Sequence, residues 1–180
     1  ELLGVRDGEP LHRLSAACVA AGVLTFVVDL GLDAADAGSV HLSSGAIAVV
    51  NGALRTGRRR LALAHELGHV LIADEYTIDW RLDSTQSGRE RMLDRFARAL
   101  LLPGTSLAER WSQYGGEQLA TIRNAAVRTA SHFRVDMSTL GRRLLDLDLV
   151  DDGTAARIRT IRTMRADIVE HDLVVADELL

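Results

Sequence analysis

The sequence predicts an α+β fold: a small three-stranded sheet packed on two helices, followed by an all-helical extension. Three observations predict it. Runs rich in β-branched residues at 23–29, 40–42 and 46–51 are bounded by glycine and serine turns and read as strands. Two helix-period segments follow, from Thr56 or Gly57 to about Ala73 and at 89–102. Beyond Pro103-Gly104, which stops the second of these, the pattern is helical almost to the end.

Taken in order, residues 10–21 carry Leu11, Leu14, Cys18 and Ala21 at helical spacing, with Pro10 in the first turn. The apolar run 14–28 is shorter than the roughly 18 residues a membrane span needs. Gly22 divides it into a helix and a buried strand. Residues 31–38 read as a loop, Ser43-Ser44-Gly45 as a turn and Asn51-Gly52 as the close of the sheet. The stretch 74–88 is polar and irregular, interrupted only by Tyr76, Ile78 and Trp80. Helices are expected at 117–132, 138–147 and 155–170, separated by RVDM and DLVDDG. The expected division is 1–104 for the sheet-bearing part and 105–180 for the helical region.

Composition narrows the function classes. All 21 basic residues are arginine, which suggests a GC-rich, bacterial genome and excludes lysine-centred Schiff-base chemistry. A net charge of -4 and a pI near 5.9 argue against a nucleic-acid footprint over the whole molecule. One cysteine, Cys18, rules out an intramolecular disulfide and fits a cytoplasmic location. The chain opens at Glu1 rather than methionine, so a trimmed form is expected.

Residues 61–73 read LALAHELGHVLIA. Side chains four apart share one helix face with Cβ atoms about 5–6 Å apart, so His65 and His69 can hold one metal ion from the same side. Glu66 lies about 100° round the helix, close enough to polarise a bound water. A catalytic zinc takes three protein ligands and keeps one position open. The next helix offers the third: Glu90, with Asp94 one turn on to accept the free ring N–H of a ligating histidine. On that helix Arg91, Arg95 and Arg98 occupy another face, and Leu93, Phe96, Leu100 and Leu101 supply the packing surface.

AVVNGALRTGRRRLALAHELGHVL followed by ExxxDxFAxxLLLP resembles the ImmA/IrrE family of metallopeptidases, bacterial and phage zincins with a thermolysin-like arrangement. The resemblance is strong over 46–103 and looser over 120–150; it departs at the packing positions Leu61 and Leu93. It implies a zincin-like fold, His65, His69 and Glu90 as zinc ligands, Glu66 as catalytic base and Asp94 as the carboxylate behind a ligand. It also implies a substrate class, helix-turn-helix repressors whose cleavage releases stress-response or mobile-element genes.

With Zn2+ bound as argued, Glu66 is expected to take a proton from the attacking water and pass it to the leaving amine. Ala46, Ile47, Ala48, Val49, Val50 and Asn51 form the strand to which an extended peptide could add by backbone pairing. Tyr76, Tyr114 and His132 are candidates by residue type for stabilising the transition state. His12, His41 and His171 have no partner motif and read as surface or core residues.

An alternative is a non-proteolytic module. Residues 119–150 have the rhythm of a helix-turn-helix unit, with Arg142, Arg143, Arg157, Arg159, Arg162 and Arg165 nearby. Asp136, Asp146, Asp148, Asp151 and Asp152 interleave the same region, so repressor docking by this region is favoured over DNA binding. No membrane partner is expected.

Overall fold

The computed structural model describes residues 8–72, 76–79, 88–164 and 167, with 76–79 as backbone alone. The elements are α1 (Leu14–Ala20), β1 (Val23–Val28), β2 (Ala37–Leu42), β3 (Gly45–Asn51), α2 (Thr56–Leu71), β4 (Tyr76–Asp79), α3 (Gly88–Leu101), α4 (Gly104–Gln113), α5 (Ile122–Phe133), α6 (Met137–Asp146) and α7 (Asp152–Thr160). The fold is α+β.

The three expected strands are present, and a fourth lies beside them, giving the order β1-β3-β2-β4. β1 runs parallel to β3, while β2 is antiparallel to both β3 and β4. The fourth strand comes from the segment read as irregular: four residues are too few to show an alternating pattern. β2 begins at Ala37, inside the stretch expected to be a loop, because Ala37 and Gly38 pair with Val50 and Val49.

One consequence corrects the sequence reading. β3 is an interior strand, its 46–51 backbone paired with β1 on one side and β2 on the other, so no peptide can add to it. Ala46, Ala48, Val50 and Asn51 are buried, while Ile47 and Val49 are half-buried on the other face. Asn51 has a structural task instead. Its side-chain oxygen accepts from the backbone N–H of Leu30 and Ala53 at 3.2 and 3.0 Å, and its nitrogen donates to the carbonyls of Gly31 and Ala35 at 2.7 and 3.2 Å. These bonds hold the loop between β1 and β2.

α2 packs on β2 and β3 and is covered by α3 from the other side. A helix enclosed in this way is buried nearly all round, from Arg60 through His69, which is why polar groups on it need specific partners. Arg60 donates to the carbonyls of His12 and Leu11, tying the segment before α1 to α2. That segment is not helical; α1 starts at Leu14, four residues later than Pro10 suggested.

Pro103, extended at φ -56 and ψ 133, ends α3 and leads into α4. The long helix expected at 117–132 is confined to α5, because Gly115 takes a positive φ of 75 and a run of turns follows. Of the helix expected at 155–170, α7 covers the part up to Thr160, where Ile161 turns extended, and 165–170 lies outside the described residues except for Asp167. Leu101 and Leu102, before the expected boundary at 104, and Leu107, Trp111, Phe133 and Leu140, after it, belong to one continuous core with Leu63 and Leu67 of α2.

Candidate metal centre

His65 and His69 project from one face of α2 toward α3 and are 5% and 2% exposed. Gly68 allows α3 to approach: a Cβ at that position would lie 2.8 Å from Leu93 Cδ2 and 3.0 Å from Phe96 Cδ1. The close approach carries Glu90, in the first turn of α3, to the histidines. His65 Nε2 lies 3.1 Å from His69 Nε2 and 3.2 Å from Glu90 Oε2, and His69 Nε2 lies 3.6 Å from the same oxygen.

These separations fit a metal. Four ligands at about 2.0–2.2 Å from a tetrahedral zinc stand roughly 3.3–3.6 Å from one another, close to the three distances observed. The donor set, two imidazoles and a carboxylate, suits a divalent transition ion. Among the described residues, His65, His69 and Glu90 are the group of three so placed.

Asp94, one turn after Glu90, sets the state of His65. Its Oδ1 is 3.1 Å from His65 Nδ1, so that nitrogen carries the proton and Nε2 presents its lone pair to the other donors. Burial pushes the Asp94 carboxyl up, but the hydrogen bond and electrostatic attraction of the His65 ring, with the charges of Arg98 and Arg142, outweigh it. The net result is a carboxyl held below its ordinary range, and hence ionised at neutral pH.

Glu66 is fully buried and accepts a hydrogen bond from Ser39 Oγ at 2.5 Å. Ser39 lies on β2, 6% exposed, on the sheet face that meets α2. It is a site residue the sequence reading missed: the stretch before Val40 carries no strand pattern, and only the register of β2 against β3 places Ser39 beneath Glu66. The alternation Ala37, Ser39 of small residues facing a helix was the available signal.

The candidates for transition-state stabilisation divide. Tyr114 caps the C-terminus of α4 with Arg128 stacked 4.1 Å over its ring. His132 stands edge-on to His12 at 6.2 Å and to Phe133 at 4.9 Å. Burial, then the charges of Arg110 and His12, hold the His132 imidazole below its ordinary value, so it is neutral at pH 7. These ring contacts are with His12, Phe133 and Arg128, not with His65, Glu66, His69 or Glu90. The side chain of Tyr76, and His171, lie outside the described residues.

Comparison with protein families matches residues 18–145 to the IrrE N-terminal-like domain. Comparisons with curated proteins and with solved structures give no significant match. The matched span covers more than half of the chain and includes every residue of the centre described above, and it is the name of a peptidase family; the chain belongs to the IrrE N-terminal-like family of peptidases.

Proposed function

We propose that the chain is a zinc-dependent endopeptidase of zincin type that cleaves a helix-turn-helix repressor and thereby switches on stress-response or mobile-element genes. The observation that carries the peptidase reading is the convergence of His65, His69 and Glu90 with a buried carboxylate, Glu66, on the same helix turn. A divalent ion held by the three ligands supplies Lewis-acid activation of water and polarisation of the scissile carbonyl.

The protein's own groups do the rest. Ser39 fixes the Glu66 carboxylate by its hydrogen bond, leaving that side chain oriented to take a proton from the attacking water and deliver it to the departing amine. Asp94 keeps His65 in the tautomer whose Nε2 is a ligand. Burial of both histidines keeps bulk water from competing for their lone pairs. The repressor as substrate rests on the family alone, and a cytoplasmic site of action on the single cysteine; no helix among the described residues is long and apolar enough to cross a membrane.

The alternative, a non-proteolytic module acting through its helical region, draws support from α5 and α6. A turn with Arg134 in the left-handed region (φ 55) joins them in helix-turn-helix fashion. α6, however, buries Met137, Thr139, Leu140, Gly141 and Leu144 against its neighbours, and a recognition helix must present an open face to a groove.

Glu66→Gln separates the two. The variant should bind zinc as the parent does and lose cleavage of the helix-turn-helix proteins encoded beside its gene by about 10²- to 10⁴-fold, the usual worth of a general base. Full regulatory output from Glu66→Gln would overturn the peptidase reading.

A further inference from the structure

α3 carries two functional stripes. One holds Glu90 and Asp94; the other holds Arg91, Arg95 and Arg98, four and three residues apart and therefore aligned along one face. The second stripe lines a cleft of about 540 Å³ between α3 and α6, whose walls also include Asp94 and Asp146. A cleft of that size is typical of a site for a few side chains or a small ligand.

The charges in it do not balance. Arg98 donates from Nε to Asp146 Oδ2 at 2.7 Å, and the Asp94 carboxylate faces His65. Asp146 is thus taken up by Arg98 and Asp94 by the His65 ring N–H, and the wall carries three guanidinium groups, Arg91, Arg95 and Arg98, against these two carboxylates. Arg91 and Arg95 are exposed, as is Arg142 on α6, whose charge reaches Asp94. None of these three forms an ion pair with a carboxylate among the described residues. A cleft walled by the surplus guanidinium groups of Arg91 and Arg95 attracts carboxylates, which arginine binds through its planar fork.

The geometry points to this cleft as a subsite for an acidic segment of a polypeptide substrate. The inference rests on the peptidase reading and deepens it. Asp94 is shared between the metal centre and the cleft wall, and Gly88, also in the wall, stands two residues before Glu90. Arg91 follows Glu90 directly in α3 and Arg95 follows Asp94, so a chain lying extended across His65, His69 and Glu90 and continuing along α3 meets the arginines within a few residues, at roughly 3.3 Å per residue. The specificity expected is for a glutamate or aspartate at that distance from the cleaved bond. A nucleic acid is the poorer fit: its charge repeats along its whole length, whereas Asp94 and Asp146 share the wall with these cations and the chain is net negative.

Binding to the Glu66→Gln chain loaded with zinc tests the inference without requiring cleavage. The probe is a dye-labelled peptide in which glutamates alternate with alanine and leucine, compared with its glutamine counterpart by fluorescence anisotropy. The glutamate peptide should bind about tenfold tighter, a preference that shrinks with added salt. Arg91→Ala/Arg95→Ala, and the bulkier Arg91→Gln/Arg95→Gln, should abolish that preference with circular dichroism unchanged; Arg157→Ala/Arg159→Ala on α7 should keep it. Equal binding of the two peptides, or a preference that survives the α3 variants, overturns the inference. So does tighter, Arg91- and Arg95-dependent binding of duplex DNA, or displacement of the peptide by inorganic phosphate at equal concentration. If the peptide preference holds while the parent protein cleaves nothing, it is the peptidase reading that fails.

Discussion

At His65 the two ring nitrogens have different tasks: Nδ1 faces Asp94 at 3.1 Å and Nε2 faces the other donors. Asp94→Asn keeps the shape but removes the charge that favours the ligating tautomer. Zinc affinity should fall about 10- to 100-fold, as measured by competition with a chelating dye, with little change in thermal stability of the metal-free protein. Unchanged affinity would mean that Asp94 does not act through His65. A second residue-scale expectation concerns Cys18, where burial pushes the thiol from an ordinary value of 9.0 up to about 12. The folded thiol holds its proton to higher pH than the unfolded one, so its contribution to stability is intact below pH 9 and declines as pH rises from 9 toward 12. A disulfide reagent at pH 8 should leave Cys18 unlabelled in the folded chain and label it rapidly in denaturant. At this scale the pairing of His65 and His69 was legible in the sequence because a helix converts a spacing of four into one face, which is a local rule. Ser39 was not, since its place under Glu66 depends on a pairing register between two strands.

At the scale of elements, α2 determines the site because it is gripped from three sides. Its N-terminus meets the α5–α6 turn at Gly57, where a Cβ would lie 2.5 Å from the backbone nitrogen of Asp136. That nitrogen belongs to the residue that caps α6 by accepting from Thr139 N–H at 2.8 Å, so the turn cannot move without disturbing the cap. Gly57→Ala should therefore destabilise by about 1–3 kcal/mol despite alanine's better helix propensity. The melting midpoint should drop by roughly 2–4 °C per kcal/mol; an unchanged or raised midpoint would show that the turn yields freely. α2 and α3 were legible from their periodicity and from Pro103. The role of β3 was not: its apolar run is the same whether a strand lies at an edge or in the interior, and only the parallel β1 on its far side settles the matter. Asp136 and Asp151, read as acids opposing DNA, are helix caps, the second accepting from Thr154 N–H at 2.7 Å.

For the molecule as a whole, the helical region is part of what holds the candidate metal centre. Arg98 of α3 pairs with Asp146 of α6, and Arg143 of α6 donates to the Leu102 carbonyl at the end of α3. The helix bearing Glu90 and Asp94 is thus fixed by the region beyond Pro103, and one core runs through both. Long-range pairing of this kind has no signature in a single sequence, whereas the family's histidine and glutamate pattern is local and was readable from the outset. The central claim is that two imidazoles of α2 and a carboxylate of α3 grip one divalent ion. Isothermal titration of zinc into the metal-free protein tests it most directly: a single tight site per chain is expected, lost in His69→Ala and weakened at least about tenfold in Glu90→Ala. Absence of a stoichiometric site in the parent, or parental affinity in Glu90→Ala, would contradict the account.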